Sequence, residues 1–411
     1  MNLLMLTKFF PYGTGEAFIE NEIKVISEYY DNITIIACEV PEKDSNVIRK
    51  VPENVTVHKV AANSKKKDII KGMMKKLSYD GNFKKEKKEC KGLTRKAFLT
   101  YFEEKSQRIF NEIKEKHYAD DVTKEPYMLY SYWFFMTARV GTLIAEKIAR
   151  PVKMFTRAHR YDLYADQNKA GYLPYRKLFL DTYDEVFPCS DNGTAYLKKL
   201  YPDRSNNVRT ALLGTLDHGI GKGSSDGVFR IVSCSRVEPV KRVNKIVEAL
   251  HMIDHYEIDI EWTHIGDGSL FEDLKQQAEK QLGNIRYIFT GNMKNEDIMK
   301  LYQKEPFDLL VNVSSSEGLP VSIMEAISFG IPCVGTDVGG TKEIVIDGVT
   351  GKLIPSDFET NELADIIKNF AGNGNMSVKR ESCREFWETH FRAVENYKKL
   401  YDYINEKDNE K

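Results

Sequence analysis

From residue 229 onward, short apolar runs alternate with longer stretches in which apolar residues recur at helical spacing. The short runs predict strands at 229–235, 258–265, 285–290, 309–313, 332–336 and 351–354. Helical patterns lie between the first five, as at 243–253 and 270–281. Strand and helix alternating in this way build a doubly wound parallel sheet, with helices on both faces. The first half is less regular but compatible with a second such sheet, with strands expected at 2–8, 32–37, 154–158 and 185–189. Residues 214–227 are rich in Gly, Ser and Asp and read as the linker, which gives an amino-terminal domain over 1–215 and a carboxyl-terminal domain over 228–385. The charged stretch 380–407 has a helical pattern, and 386–411 is expected as a closing helix.

Composition narrows the class. A chain of 411 residues has room for two or three domains, and 42% hydrophobic with 29% charged residues describes a soluble globular protein. Its net charge of −1 gives no bulk attraction to nucleic acid, so none is expected as a partner. Cys38, Cys90, Cys189, Cys234, Cys333 and Cys383 form no C-x-x-C pair, which favours a reducing cytosol over disulfides or a zinc site. The apolar start, Met1 to Phe10, lacks a basic leader and a cleavage site, and reads as a first strand. No run approaches the length that crosses a bilayer, so the expected location is the cytoplasm. One stretch departs from this balance: between residues 65 and 96 there are thirteen Lys or Arg against four acids. With Ile69, Ile70, Met73, Met74 and Leu77 at helical spacing, it is either a basic amphipathic helix lying on anionic lipid at the inner face of the cell membrane or a solvated loop.

The segment richest in chemistry is 307–326. An apolar run ends in Ser316-Glu317-Gly318-Leu319-Pro320-Val321, and Pro320 is expected as the first residue of the following helix. The turn therefore lies at the carboxyl edge of a parallel sheet, where ligands bind and where helix-start N–H groups meet anions. Glu317 sits in that turn, and Glu325 lies about a turn and a half into the helix. Amides and cations beside two carboxylates suit a diphosphate carrying hydroxyl-rich sugars, which is a nucleotide sugar.

The spacing of Glu317 and Glu325, with Gly-Leu-Pro after the first and Ala-Ile-Ser-Phe-Gly-Ile-Pro after the second, resembles the two-glutamate motif of retaining glycosyltransferase family 4. That resemblance implies the GT-B architecture: two Rossmann-like doubly wound domains facing an interdomain cleft, with the closing helix crossing back onto the first domain. It implies a hexosyltransferase that uses a UDP- or GDP-linked sugar and retains the anomeric configuration. Glu317 would hold the transferred sugar and Glu325 the ribose, while Gly318, Leu319, Pro320 and Val321 would form the phosphate turn. Ser235-Arg236-Val237-Glu238-Pro239-Val240-Lys241 matches the family's diphosphate-binding Arg and Lys, with Lys241 favoured over Arg242 by its distance from Arg236.

Further matches cover the rest of the chain. Gly13 and Gly15 lie in a loop after the first strand whose form, Gly-Glu-Ala-Phe-Ile-Glu-Asn-Glu, resembles the exopolysaccharide and capsule branch. Phe18 replaces the third glycine of a dinucleotide fingerprint, so NAD is not expected. His159, in Ala-His-x-x-Asp, would face the transferred sugar, with Arg160 where the family more often has Gly. Asn292 and Met293 fall in the turn where the base rests, and uracil and guanine stay undistinguished. The acceptor implied is a glycan or lipid-linked molecule. No D-x-D pair is present, so neither metal nor cofactor is expected. Two rivals remain open: a nucleotide-sugar epimerase, and a non-catalytic subunit that binds a partner enzyme or glycan.

Overall fold

The computed structural model describes the chain except for residues 14, 17, 63–78, 254–257, 373–377 and 407–411. It divides into two compact units, Met1–Ala211 with Tyr397–Lys411, and Leu212–Asn396.

The first unit contains a six-stranded sheet in the order β3-β2-β1-β4-β5-β6. Its strands are β1 Asn2–Thr7, β2 Asn32–Val40, β3 Val55–Ala61, β4 Tyr127–Ser131, β5 Lys153–Ala158 and β6 Glu185–Pro188. All pair in parallel. Helices cover both faces, so β1 is buried from Leu3 to Thr7 and reads as an unbroken apolar run. Its last element comes from the far end of the chain. The helix Ala393–Glu406 enters this unit at Tyr397, and Tyr29 donates to Asp402 Oδ1 at 2.8 Å. Buried Glu22 accepts from Tyr130 at 2.9 Å, Tyr132 at 3.1 Å and Tyr401, with Arg157 Nε 3.6 Å away.

The second unit repeats the plan in the order β12-β11-β10-β7-β8-β9. Its strands are β7 Phe229–Cys234, β8 Ile260–Ile265, β9 Arg286–Gly291, β10 Leu309–Asn312, β11 Cys333–Thr336 and β12 Gly351–Ile354, again all parallel. Residues 214–227 are pinned to this unit: Ser224 N donates to Asp308 Oδ1 at 2.8 Å and Gly221 N to the Phe329 carbonyl at 2.9 Å. The expected single helix over 380–407 is two, Arg380–His390 and Ala393–Glu406. Between them, Phe391 O and Ala393 N pair with Thr215, and a side chain on Gly214 would strike Ala393 at 2.5 Å. That bridge takes the backbone groups a continuous helix would need.

The apolar half of the basic stretch, including Ile69, Ile70, Met73, Met74 and Leu77, lies outside the described residues. Its remainder forms the helix Gly81–Glu89, capped by Asp80 on Phe83 N, and the start of the helix Leu93–Glu115. Lys84, Lys85, Lys87, Lys88, Lys91, Arg95 and Lys96 are exposed, as is Leu93 at 88%. All six cysteines are free thiols. Among the described residues, no helix is long and apolar enough to cross a membrane.

Candidate active site

At the carboxyl edge of the second sheet, β10 ends at Asn312 and the chain turns into the helix Val321–Ser328. Pro320 is the cap rather than the first helical residue, because its ψ of 105° keeps it extended and the helix starts one position later. In the first helical turn, Ile323 N and Met324 N reach the Pro320 carbonyl at 3.1 and 3.4 Å, while the amides of Val321 and Ser322 precede any intrahelical acceptor. The turn before it is locked from behind: Gly340 N donates to Gly318 O at 2.7 Å, and Gly339, at φ +56°, comes so close that a Cβ would lie 1.9 Å from Glu317 O.

Within that turn Glu317 is only 8% exposed. Its Oε1 accepts from Lys241 Nζ at 2.5 Å, Ser314 Oγ at 2.6 Å and Asn312 Nδ2 at 3.4 Å. Glu325, also 8% exposed, accepts from Asn295 Nδ2 at 2.6 Å. Burial pushes its carboxyl up to about 7, against the pull of that hydrogen bond. Cys234 and Tyr302 lie close enough to feel its charge, and burial holds both well above their ordinary values.

Lys241 and Arg242 take different roles. Arg242 stands at φ +51°, a costly conformation for a side chain of its size, and donates to the carbonyls of Val313 at 2.7 Å, Ser314 at 3.3 Å and Ser356 at 2.6 Å. It staples down the segment leading to Glu317, and leaves Lys241 to reach the carboxylate. Arg236 is exposed in the turn after β7 and bonds neither Glu317 nor Glu325. Asn292, exposed, and Met293 follow Gly291, whose carbonyl accepts from Gly266 N at 2.9 Å.

In the first unit, Gly13 (φ +63°) leaves no room for a side chain, since a Cβ would lie 2.9 Å from Asp44 Cγ; at Gly15 it would lie 3.0 Å from Phe9. Glu16 in this loop and Glu22 in the helix Ile19–Ile26 are structural. Glu16 takes the amides of Lys8 at 3.1 Å, Phe9 at 2.6 Å and Phe10 at 2.6 Å together with the Trp133 indole, and Glu22 is the buried hub already described. His159 follows β5 and is 8% exposed, stacked on Phe18 at 5.6 Å and Tyr132 at 5.2 Å, with Trp133 tilted against it at 4.7 Å. Neither ring nitrogen makes a regular hydrogen bond with a described residue, although the side chain faces the Asp162 amide in a capping box. Burial, then the charge of Arg157, pushes its pKa down to about 3, so the ring is neutral. Asp162 fixes its backbone, accepting His159 N and Phe134 N at 2.6 Å each, and burial raises that carboxyl to about 7.

The sequence pattern did not single out Asn295, Asn312, Ser314 or Arg242 as functional residues. Asn295 opens a helix next to the turn of Asn292 and Met293, and this was its only signal. Among the described residues, no group of three His, Cys, Asp or Glu side chains is arranged to hold a metal ion. The second-unit site offers one cation, two carboxylates and open amides, which together can bind a diphosphate and sugar hydroxyls.

The sequence model of the family described as glycosyl transferases group 1 matches residues 221–386. The chain is 29% identical over 229 residues to the N-acetyl-alpha-D-glucosaminyl L-malate synthase of Bacillus anthracis, covering 54% of this chain and 57% of that protein. It is 26% identical over 181 residues to the amylovoran biosynthesis glycosyltransferase AmsK of Erwinia amylovora, covering 43% and 44%. The matches thus span about half the length of these two relatives. The lipopolysaccharide outer core galactosyltransferase WaaB superposes over 99% of this chain and 100% of its own, with a TM-score of 0.70 at 15% identity. The fold is therefore the two-domain α/β fold of GT-B proteins, and residues 221–386 match the sequence model of glycosyl transferases group 1.

Proposed function

We propose that the protein is a retaining glycosyltransferase that moves a sugar from a UDP- or GDP-linked donor to a glycan or lipid-linked acceptor in cell-surface polysaccharide synthesis. The observation that carries this reading is Glu317 at 2.5 Å from Lys241, in a turn that opens onto free helix amides. Breaking the bond between the anomeric carbon and the phosphate builds negative charge on the departing diphosphate. Lys241, Arg236 and the amides of Gly318, Leu319 and Val321 would stabilise that charge without a metal. Glu317 would accept from hydroxyls of the transferred sugar near the reacting carbon, and Glu325 from the ribose. The leaving phosphate would take the acceptor's proton, so no separate base is assigned.

Asn292 and Met293 would border the base. His159, neutral, would meet the transferred sugar, and the loop of Gly13 and Gly15 would approach it through backbone. The name of AmsK supports a polysaccharide setting, and the exposed lysines of 84–96 support contact with anionic lipid on the cytoplasmic face.

Thermal-shift screening with nucleotide sugars identifies the donor, and Glu317→Ala then tests the reaction. Unchanged turnover in Glu317→Ala sinks the assignment. Activity that excess chelator abolishes and manganese restores sinks its metal-free form.

A further inference from the structure

We infer that His264 is a positioning residue for the turn that carries Arg236, held in one tautomer by Trp262 acting through Ser233. The inference rests on the reading above that this turn binds a diphosphate, and it concerns three residues given no role there.

Ser233 in β7 and His264 in β8 are direct register partners, with Trp262 two positions before His264 on the same strand. All three are buried, His264 completely. Trp262 Nε1 donates to Ser233 Oγ at 3.0 Å, and Ser233 Oγ lies 2.8 Å from His264 Nδ1.

An indole N–H can only donate, so Ser233 Oγ is an acceptor toward Trp262. The serine's own proton then needs an acceptor in a buried site, and Nδ1 is in line to take it. Were Nδ1 protonated instead, Ser233 would receive two donors and its hydroxyl proton would be left unpaired. The chain of hydrogen bonds therefore runs from Trp262 to Ser233 to His264, and the imidazole proton resides on Nε2.

Nε2 makes no regular hydrogen bond with a described residue. It lies where Gly266 passes Ser235: a Cβ on Gly266 would stand 3.5 Å from Nε2 and 1.9 Å from the Ser235 carbonyl oxygen. Ser235 immediately precedes Arg236, whose side chain is exposed, so the path of the backbone sets where the guanidinium goes. That path is fixed by Ser235 N on Ile265 O and Val237 N on Asp267 O, both at 3.0 Å, and the imidazole of His264 adds to it through its interaction with the Ser235 backbone. Burial holds the imidazole pKa near 4, so the ring stays uncharged throughout the neutral range. Being fully buried, His264 acts on the ligand only through Ser235 and Arg236.

The test combines a spectroscopic and a binding measurement. Long-range nitrogen–proton correlation spectra of the full chain, labelled in histidine, should show His264 as the Nε2–H tautomer. In Trp262→Phe, which keeps a ring but loses the N–H, Ser233 can accept from Nδ1–H and the tautomer should shift. By calorimetry with UDP and GDP as probes, Trp262→Phe should weaken the nucleotide that binds about threefold to tenfold. In an Arg236→Ala background it should add nothing, because the effect passes through Arg236. A wild-type Nδ1–H tautomer overturns the inference, and so does an equal loss in both backgrounds. Should Trp262→Phe not fold, the wild-type tautomer still decides that step, and His264→Gln, which retains a donor near Nε2, should bind at least threefold more tightly than His264→Leu. If Arg236→Ala binds both nucleotides like wild type, the underlying reading of the turn fails; if Arg236→Ala is weakened and Trp262→Phe is neutral, only the inference falls.

Discussion

Lys241 Nζ sits 2.5 Å from Glu317 Oε1, although 76 positions separate the two residues in the chain. The ammonium has one carboxylate in hand and hydrogen-bond capacity to spare for a phosphate oxygen. Removing it in Lys241→Met should weaken donor binding about 10- to 100-fold, the range for hydrogen bonds to charged groups. Lys241→Arg should restore only part of this, because a planar guanidinium does not replace a point charge. Titration calorimetry with the nucleoside diphosphate checks both.

For Glu317 itself the expected effect lies on turnover. Glu317→Gln keeps the shape but loses the charge that Lys241 and Ser314 orient, and kcat should fall about 10²- to 10³-fold while donor KM changes little. A change confined to KM would show that the residue binds substrate and transition state equally.

Glu325 gives a pH signature. Its carboxyl is raised to about 7 in the folded chain, against about 4.3 for a free glutamate. Between those values the native state holds the extra proton, so stability is greater below the window and declines as pH rises through it. Ribose hydroxyls prefer the ionised acceptor, so nucleotide affinity should rise over the same interval. Glu325→Gln should flatten both profiles, read by denaturant unfolding and by calorimetry. Asn295, Cys234 and Tyr302 face the group; the last two stay neutral there because burial pushes their pKa values higher still.

Arg242→Ala removes a side chain that serves three backbone carbonyls. A stability loss of about 2 kcal/mol is expected, offset in part by relief of the left-handed backbone. Because 313–314 would loosen, kcat/KM should also drop. Chemical denaturation and steady-state kinetics measure the two effects.

In the first unit, Glu22→Gln leaves the Arg157 guanidinium buried without its counter-charge. A loss of about 3–5 kcal/mol is expected, visible as a lower denaturation midpoint. Exchange protection should fall first in the helix Ala393–Glu406, which Glu22 holds through Tyr401.

How much of this was legible depends on where each signal resides. The second sheet was readable because its short strands carry apolar runs between helical patterns: the fully buried 309–313 became Leu309–Asn312, and 258–265, despite Glu261, Thr263 and His264, became Ile260–Ile265. In the first sheet β3 and β4 went unseen. His58 and Lys59 interrupt β3 at the sheet edge, while the aromatic β4 is short and isolated between helices. Lys241, Glu317 and Glu325 stood out because they occupy strand-end turns and a helix start. Arg242, Asn295 and Ser314 did not, since only the folded approach of separate segments gives them their partners. The acids of 16–22 carried no assigned role in the sequence, and the fold gives them one: Glu16 and Glu22 spend their acceptor capacity on the protein's own amides, indole and tyrosines.

The second unit is one uninterrupted stretch, Leu212–Asn396, whereas the first is completed by Tyr397 onward. During synthesis on the ribosome, the last piece of the first unit is therefore made only after the whole of the second. Glu22 and Arg157 of the first unit lack Tyr401 until four hundred residues have preceded it. A chain cut just before Tyr397 would keep every residue of the second unit and lose the segment that closes the first.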